Sequence, residues 1–410
     1  MTGSTARHVL AVNGGSSSIK FAVYAPGMPP VLQLAGRIER IGLADTSMIV
    51  ETPGHTSPET IVLGTLDQQA ATTHLLDWLN DQPALTDLGA IGHRVVNGGA
   101  GHGRPEKIDA ALIARLQAIA GFAPEHLPAE IALIERFHRH FPDLPQIACF
   151  DTGFHRQMPV VARLLPIPRR YYRAGVERYG FHGLSYAFLL EELETLAGPK
   201  AANGRVIMAH IGNGVSLAAV KDGHSVDTSM AFSPAAGVAM GTRSGDLDPG
   251  LFWYLTGDGD MSPAAFHKMV NHESGLLGLS ETSADLRDLL ALEATDSRAA
   301  EAVALFCYQI RKCIGAYAAA LGGVDTLIFA GGIGENASPI RERICAELGF
   351  LGIVLDPVRN GEGAGIISAP DAAVTVRVIA TNEEIMIARA ALAHLQTPQP
   401  PTSHHKDQPS

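Results

Sequence analysis

Cysteine is scarce: Cys149, Cys307, Cys313 and Cys345 are the only four in 410 residues. None forms a C-x-x-C pair, and none shares a zinc spacing with the 17 histidines, so neither a disulfide framework nor a zinc site is encoded. Scattered thiols of this kind suit a reducing compartment. Positive charge is also short. Lys and Arg number 31 against 42 Asp and Glu, a formal net charge of -11. Phosphate backbones select basic faces, so nucleic acid is not the expected partner. No apolar run approaches the ~20 residues of a membrane helix. The opening MTGSTARHVLAVNGG has too short an apolar run for a signal peptide. These absences predict a cytoplasmic protein with neither a nucleic-acid nor a membrane partner. No Walker A loop, G-x-x-x-x-G-K-[ST], is present either.

Glycine, at 43 residues, is plentiful, and it falls at the ends of apolar runs. His8–Val12 breaks at Asn13-Gly14-Gly15-Ser16-Ser17-Ser18 and resumes as Ile19–Tyr24, which reads as two strands and a turn. Arg205–Val220 repeats the unit around Gly212-Asn213-Gly214. Two such hairpins suggest a duplicated domain. Between and after them the apolar spacing predicts helices over Asp109–Ala120, Ala129–His140, Ala187–Ala197 (capped by Ser185), Ala299–Leu321 and Ile385–Leu395. Alternating strands and helices indicate an α/β fold. The length allows two domains. The expected division is 1–150, 151–385, a returning helix at 386–396 and a disordered tail at 397–410.

Several polar clusters sit at these turns. The Asn13–Lys20 turn offers backbone amides, hydroxyls and a lysine to phosphate, or is an ordinary Ser/Gly hairpin. Arg94 and Arg243, each beside glycines, could fork onto a carboxylate or phosphate, or form structural ion pairs. Asp151 ends the apolar run Gln146–Cys149, where α/β proteins place ligand groups; it could serve Mg²⁺ or cap a helix. His182 lies between glycines in Tyr179-Gly180-Phe181-His182-Gly183, and His126 in a similar setting; each is a ligand group or a structural histidine. Thr381-Asn382-Glu383-Glu384 adds carboxylates ahead of the last helix. Thr326–Phe329, Ala330-Gly331-Gly332-Ile333-Gly334-Glu335-Asn336 and a helix from Pro339 give a strand, turn and helix of nucleotide-binding type.

Taken together, NGGSSSIK, GHRVV, FDTGFHRQMP, RYGFHG, HIGNGVS, DTSMAFSP, MGTRSGDLDPG, FAGGIGEN and TNEEIMIA resemble the motifs of the acetate kinase family, in family order, from residue 9 to about 395. The resemblance implies two ribonuclease-H-like domains around a cleft, a homodimer, and Mg²⁺-dependent (or Mn²⁺-dependent) phosphoryl transfer between ATP and acetate. The products would be ADP and acetyl phosphate.

Carried over position by position, it assigns Ser16, Ser18 and Lys20 to the first phosphate loop, with Asn13 and Glu383 at the metal. Arg94, Asp151, His182 and Arg243 would be catalytic, His182 and Arg243 stabilising the transition state. Arg94, Val96, Phe181 and Pro234 would hold the carboxylate and its methyl group. ATP would contact His210, Ile211, Gly212, Asn213, Gly214, Asp285, Leu286, Arg287, Gly332, Ile333, Gly334, Glu335 and Asn336. Direct in-line transfer is expected, because a carboxylate with a solution pKa of about 4–5 needs no general base. The chain departs from the family pattern at Asn97, Glu125, Leu127, Leu184 and Tyr186. A buried Glu125 beside an anion would be costly, so either it turns away or the acyl pocket is altered. Propionate or butyrate as the acid, and a non-catalytic nucleotide-binding regulator, are the alternative readings.

Overall fold

The computed structural model describes residues 7–15, 17–257, 259 and 261–396. Ser16 and the expected tail at 397–410 lie outside the described residues.

Two sheets are built on one plan. The first contains β1 (His8–Gly14), β2 (Ile19–Ala25), β3 (Val31–Glu39), β4 (Thr46–Glu51), β5 (Glu59–Gly64), β6 (Leu88–Val95), β7 (Glu106–Lys107) and β8 (Gln146–Phe150), in the order β5-β4-β3-β2-β1-β6-β8-β7. The second contains β9 (Val206–Ile211), β10 (Val215–Lys221), β11 (His224–Thr228), β12 (Thr326–Ala330) and β13 (Thr375–Val378), in the order β11-β10-β9-β12-β13. Both share three antiparallel strands followed by two parallel ones: β6 runs parallel to β1 and β8 to β6, as β12 does to β9 and β13 to β12, and the first sheet adds antiparallel β4 and β5 at one edge and β7 at the other. The repeated hairpin in the sequence is therefore the start of a repeated α/β unit.

Strand period decides which layer each side chain joins. Leu10 and Val12 face the helices Gln68–Asn80 and Leu127–His140, packing with Leu75, Leu79, Leu133 and Phe137. Val9 and Ala11 face the last helix, Glu383–Gln396, and meet Ile387, Ala388 and Ala391. The second sheet is covered likewise. Ile207 and Ala209 pack toward Ser297–Leu321, whereas Val206 and Met208 pack toward Tyr186, Leu189 and Leu193 of Gly183–Ala197. Each fully buried Ile or Leu contributes roughly 1.5–3 kcal/mol.

Helix ends follow local capping where a cap exists. Asp109 accepts from the Leu112 amide and Asp296 from the Arg298 amide, so those helices run Ala110–Ala118 and Ser297–Leu321. Ser185 is not a cap. Its helix begins at Gly183, the cap position is His182 in a left-handed conformation (φ 58°), and Ser185 is buried within the first turn. The last helix starts at Glu383, ahead of the expected 385 and 386, because the Asn382 side chain accepts from the Ile385 amide. The segment after β12 is helical at Gly331–Asn336 and again at Ser338–Cys345.

Candidate active site

Parallel strands present their carboxyl ends on one edge, and three neighbours here deliver three polar groups. Asn13 is near the end of β1, Arg94 near the end of β6, and Asp151 directly follows β8. The Asp151 amide donates to the Val95 carbonyl, which extends the ladder by one step and fixes the aspartate beside the arginine. One Arg94 nitrogen donates to Asp151 Oδ2 at 2.7 Å and another to Glu130 Oε1 at 3.4 Å. Glu130 also accepts from the Val96 amide at 2.9 Å.

Two glycines make the close approaches that complete this edge. A Cβ on Gly92 would lie 2.4 Å from Ile387 Cγ2, so the last helix can lie against β6 only because residue 92 has no side chain. That contact seats Glu383 and Glu384 beside Asn13, whose side-chain nitrogen donates to Glu383 Oε2 at 2.9 Å and to Glu384 Oε1 at 3.3 Å. A Cβ on Gly183 would lie 2.1 Å from the Asp151 carbonyl oxygen. The helix start is thus pressed onto Asp151, and the His182 amide donates to Asp151 Oδ2 at 3.1 Å.

From the second sheet come β9 and the turn after it. The rings of His182 and His210 stack at 4.3 Å, and His182 Nδ1 lies 2.8 Å from Ser216 Oγ on β10. Gly214 faces this group: a Cβ there would sit 3.3 Å from His182 Nε2 and 3.6 Å from an Arg243 nitrogen. Arg243 otherwise donates to the Pro234 carbonyl at 3.4 Å. A Cβ on Gly241 would approach the Ala284 and Asn213 carbonyls at 3.3 and 3.9 Å, so the segment leading to Asp285 borders the same turn. Gly334 packs against Ile211, and Gly331 (φ 77°) passes the Ile211 backbone so closely that only glycine fits.

The electrostatics divide the site. Arg94 stays charged: burial opposes it, but Asp151, Glu130 and Glu383 outweigh burial and raise its pKa. Glu130 is pushed up to about 7 by burial, against the pull of Arg94 and the Val96 amide. Glu383 is raised by burial and by Asp151, with Arg94 and Lys20 opposing. All three histidines are held neutral. His182 falls well below its usual range through burial, His210 and the two arginines. His210 drops to about 4, chiefly through burial, and His126 to about 3 through burial, Arg94 and Arg243.

Most expected residues gather here: Asn13, Arg94, Asp151, His182, His210, Gly212–Gly214, Arg243 and Glu383. Lys20 is exposed on β2 opposite Asn13 in register, and Ser18 precedes that strand. Val96 and Phe181 are each only 1% exposed and belong to the core beneath the site, whereas Pro234 is half-buried. Asp285 and Arg287 are engaged with each other at 2.6 Å, and the Glu335 carboxylate accepts from the Gly331 and Thr381 amides. The half-buried Glu125 is engaged by His272 Nε2 at 2.7 Å and His267 Nδ1 at 3.7 Å, and its charge reaches Arg243. Asn97 caps the Gly98-Gly99 turn by accepting from the Gly99 amide.

Glu130, Ser216 and Arg341 did not stand out in the sequence, and Tyr186 stood out only as a departure from the family pattern. Glu130 lies one turn beyond His126 on an amphipathic helix, where it reads as surface charge. Arg341 is 1% exposed and donates to the Gly334 and Glu335 carbonyls and to Asn360, fixing the Gly331–Asn336 turn.

Residues 8–389 match the model of the acetokinase family. The chain belongs to the acetokinase family. An acetate kinase of Rhodopseudomonas palustris is 43% identical over 386 residues, covering 93% of this chain and 96% of the relative. A propionate kinase of Escherichia fergusonii is 41% identical over 397 residues, 96% of this chain and 97% of the relative. Among solved structures, a propionate kinase from Francisella tularensis superposes with a TM-score of 0.87 at 35% identity, covering 94% of this chain and 99% of its own.

Proposed function

We propose that this acetokinase-family chain transfers a phosphoryl group reversibly between ATP and acetate, giving ADP and acetyl phosphate by direct in-line displacement. The observation that carries the reading is the convergence of Arg243 and His182 on Gly214, with Arg94 joined to His182 through Asp151 Oδ2 and the Asn13–Glu383–Glu384 group at the end of the neighbouring strand β1. A carboxylate is already ionised near neutral pH, so the site has two anions to hold and no proton to remove. The inventory suits that task. Arg94, oriented by Asp151 and Glu130, can present its fork to the carboxylate, while Arg243 and His182 face the place where negative charge grows. Positioning and electrostatics supply most of the rate in phosphoryl transfer.

Mg²⁺, with Mn²⁺ as substitute, fits the donors present. Asp151 Oδ1 is buried without a hydrogen-bond partner, and Asn13 and Glu383 supply further oxygens. Among the described residues no three His, Cys, Asp or Glu side chains form a ready metal cluster. That agrees with an ion that keeps several waters and relies on one or two carboxylates plus substrate phosphate. When bound, the ion would neutralise phosphate charge. ATP would lie along Gly212–Gly214, Asp285–Arg287 and Gly332–Asn336, with Lys20 and Ser18 near the phosphates.

The two repeated units are read as domains of residues 1–150 and 151–385 that close on the nucleotide. We assign a homodimer, supported by Trp253 and Tyr254, which are 77% and 78% exposed on one short helix. A cytoplasmic location is supported by four free cysteines, and among the described residues no helix is long and apolar enough to cross a membrane. Propionate is the second reading for the acid, because propionate kinases match almost as well as acetate kinases. The test is ATP formation from Mg-ADP and acetyl phosphate, followed by luciferase. ATP should form only when both substrates are present. No ATP, with nucleotide binding intact, would overturn the reading.

A further inference from the structure

We infer that Tyr186 and Ser216 are positioning residues that fix the tautomer of His182, so that its single proton sits on Nε2 and faces Gly214. The inference deepens the proposed phosphoryl transfer and rests on that reading for its catalytic consequence.

The argument is one of donor and acceptor counting. The Tyr186 hydroxyl is fully buried and lies 2.5 Å from Ser216 Oγ. Ser216 is equally buried, and its oxygen also lies 2.8 Å from His182 Nδ1. Among the described residues the phenol has no other side-chain acceptor. If Tyr186 accepted from Ser216, the phenolic proton would be stranded in the core, which is costly. Tyr186 therefore donates to Ser216. Ser216 has one proton of its own, and His182 Nδ1 is the partner left for it. Nδ1 must then be unprotonated. An imidazole whose Nδ1 accepts a hydrogen bond carries its proton on the other ring nitrogen, Nε2.

The other contacts hold the ring in place. The His182 amide donates to Asp151, and the ring stacks on His210. Nε2 and the Arg243 guanidinium both face the bare Cα of Gly214. An N–H there can donate to a phosphoryl oxygen, while the opposite tautomer would turn a lone pair toward an anion. Tyr186 never reaches the phosphoryl group; it acts through Ser216 and His182.

The test is ¹⁵N NMR of the full chain labelled at histidine, with the His182 signals assigned by their loss in His182→Gln. The native spectrum should show Nδ1 in the unprotonated range and Nε2 in the protonated range. A native His182 protonated on Nδ1 overturns the inference without any variant. Ser216→Ala and Tyr186→Phe should move both shifts toward a mixture of tautomers. They should lower kcat about tenfold with the KM for Mg-ATP changed less than about twofold, since loss of a full donor costs about 10²–10³ and a shared tautomer less. Ser216→Thr keeps the hydroxyl and should restore both the spectrum and kcat. Folded Ser216→Ala protein with native shifts and native kcat would also overturn it. The spectrum is independent of turnover. An Nε2–H tautomer in a chain that makes no acetyl phosphate would leave the relay standing and remove the proposed function.

Discussion

Asp151→Asn separates charge from shape at the centre of the site. Asp151 is fully buried, and its Oδ2 accepts from Arg94 at 2.7 Å and from the His182 amide at 3.1 Å. Asparagine can keep one oxygen in that position, so the helix start at Gly183 and the ring of His182 should stay where they are. What is lost is the main counter-charge of a buried arginine. Breaking one side of a buried pair costs about 3–5 kcal/mol when nothing replaces it. Glu130 remains at 3.4 Å from Arg94 and offsets part of this, which leaves roughly 2–3 kcal/mol. Each 1.36 kcal/mol is about tenfold in rate, so a loss of that size in the transition state lowers kcat about 30- to 150-fold. The effect on binding has the opposite sign. With one negative charge removed, Arg94 attracts an anion more strongly, so the KM for acetate should hold or fall. Steady-state hydroxamate formation at saturating Mg-ATP measures both constants. A kcat within about threefold of native, or a raised KM at unchanged kcat, would refute the role of Asp151 as the residue that orients Arg94.

Three further outcomes follow from the same geometry. Glu130→Gln tests the raised pKa of about 7. A carboxyl whose folded pKa is raised contributes stability below its unfolded value near 4.5, and this is lost as pH rises through 7. The permanently neutral glutamine should therefore match the native chain in thermal unfolding at pH 5 and melt higher at pH 8, by at most about 2–3 kcal/mol; equal melting at pH 8 would refute the raised pKa. Glu125→Gln removes a half-exposed pair with His272, worth about 0–1 kcal/mol, and should leave the ratio of kcat/KM for acetate and propionate unchanged. A shift of that ratio beyond about threefold, or roughly 0.6 kcal/mol, would return Glu125 to the acyl pocket. Gly183→Ala drives a Cβ to 2.1 Å from the Asp151 carbonyl and should cost about 1–3 kcal/mol or more in chemical denaturation, with kcat falling as His182 and Asp151 separate.

How much of this was legible in the sequence depended on the range of the interaction. The hairpins around Asn13–Ser18 and Gly212–Gly214 were readable because strand, turn and strand are local, and the two sheets repeat that start. Asp109 marked a helix start to within one residue, whereas the cap Asp296 was not read and its helix begins at Ser297, two residues before the expected Ala299. Ser185 misled because it looks like a cap, but a left-handed His182 and the approach of Gly183 to Asp151 start the helix earlier. Arg94, His182 and Arg243 were found as polar residues beside glycines, and Asp151 at the end of an apolar run, both local signals for a site. Their partners were not. Glu130 meets Arg94 from another element, and Ser216 on the second sheet meets Tyr186 from the helix packed on it. The direction taken by Glu125 depends on His272, far along the chain. Spacing alone carries no information about such pairings.

The central claim is phosphoryl transfer to a small carboxylate, and trapping the acyl phosphate with hydroxylamine tests it most directly. Mg-ATP is supplied with acetate, propionate or butyrate in turn, and hydroxamate is measured. The account predicts hydroxamate with acetate at the highest kcat/KM and none without the acid. No hydroxamate from any of the three acids, from folded chain that binds ATP, would contradict it.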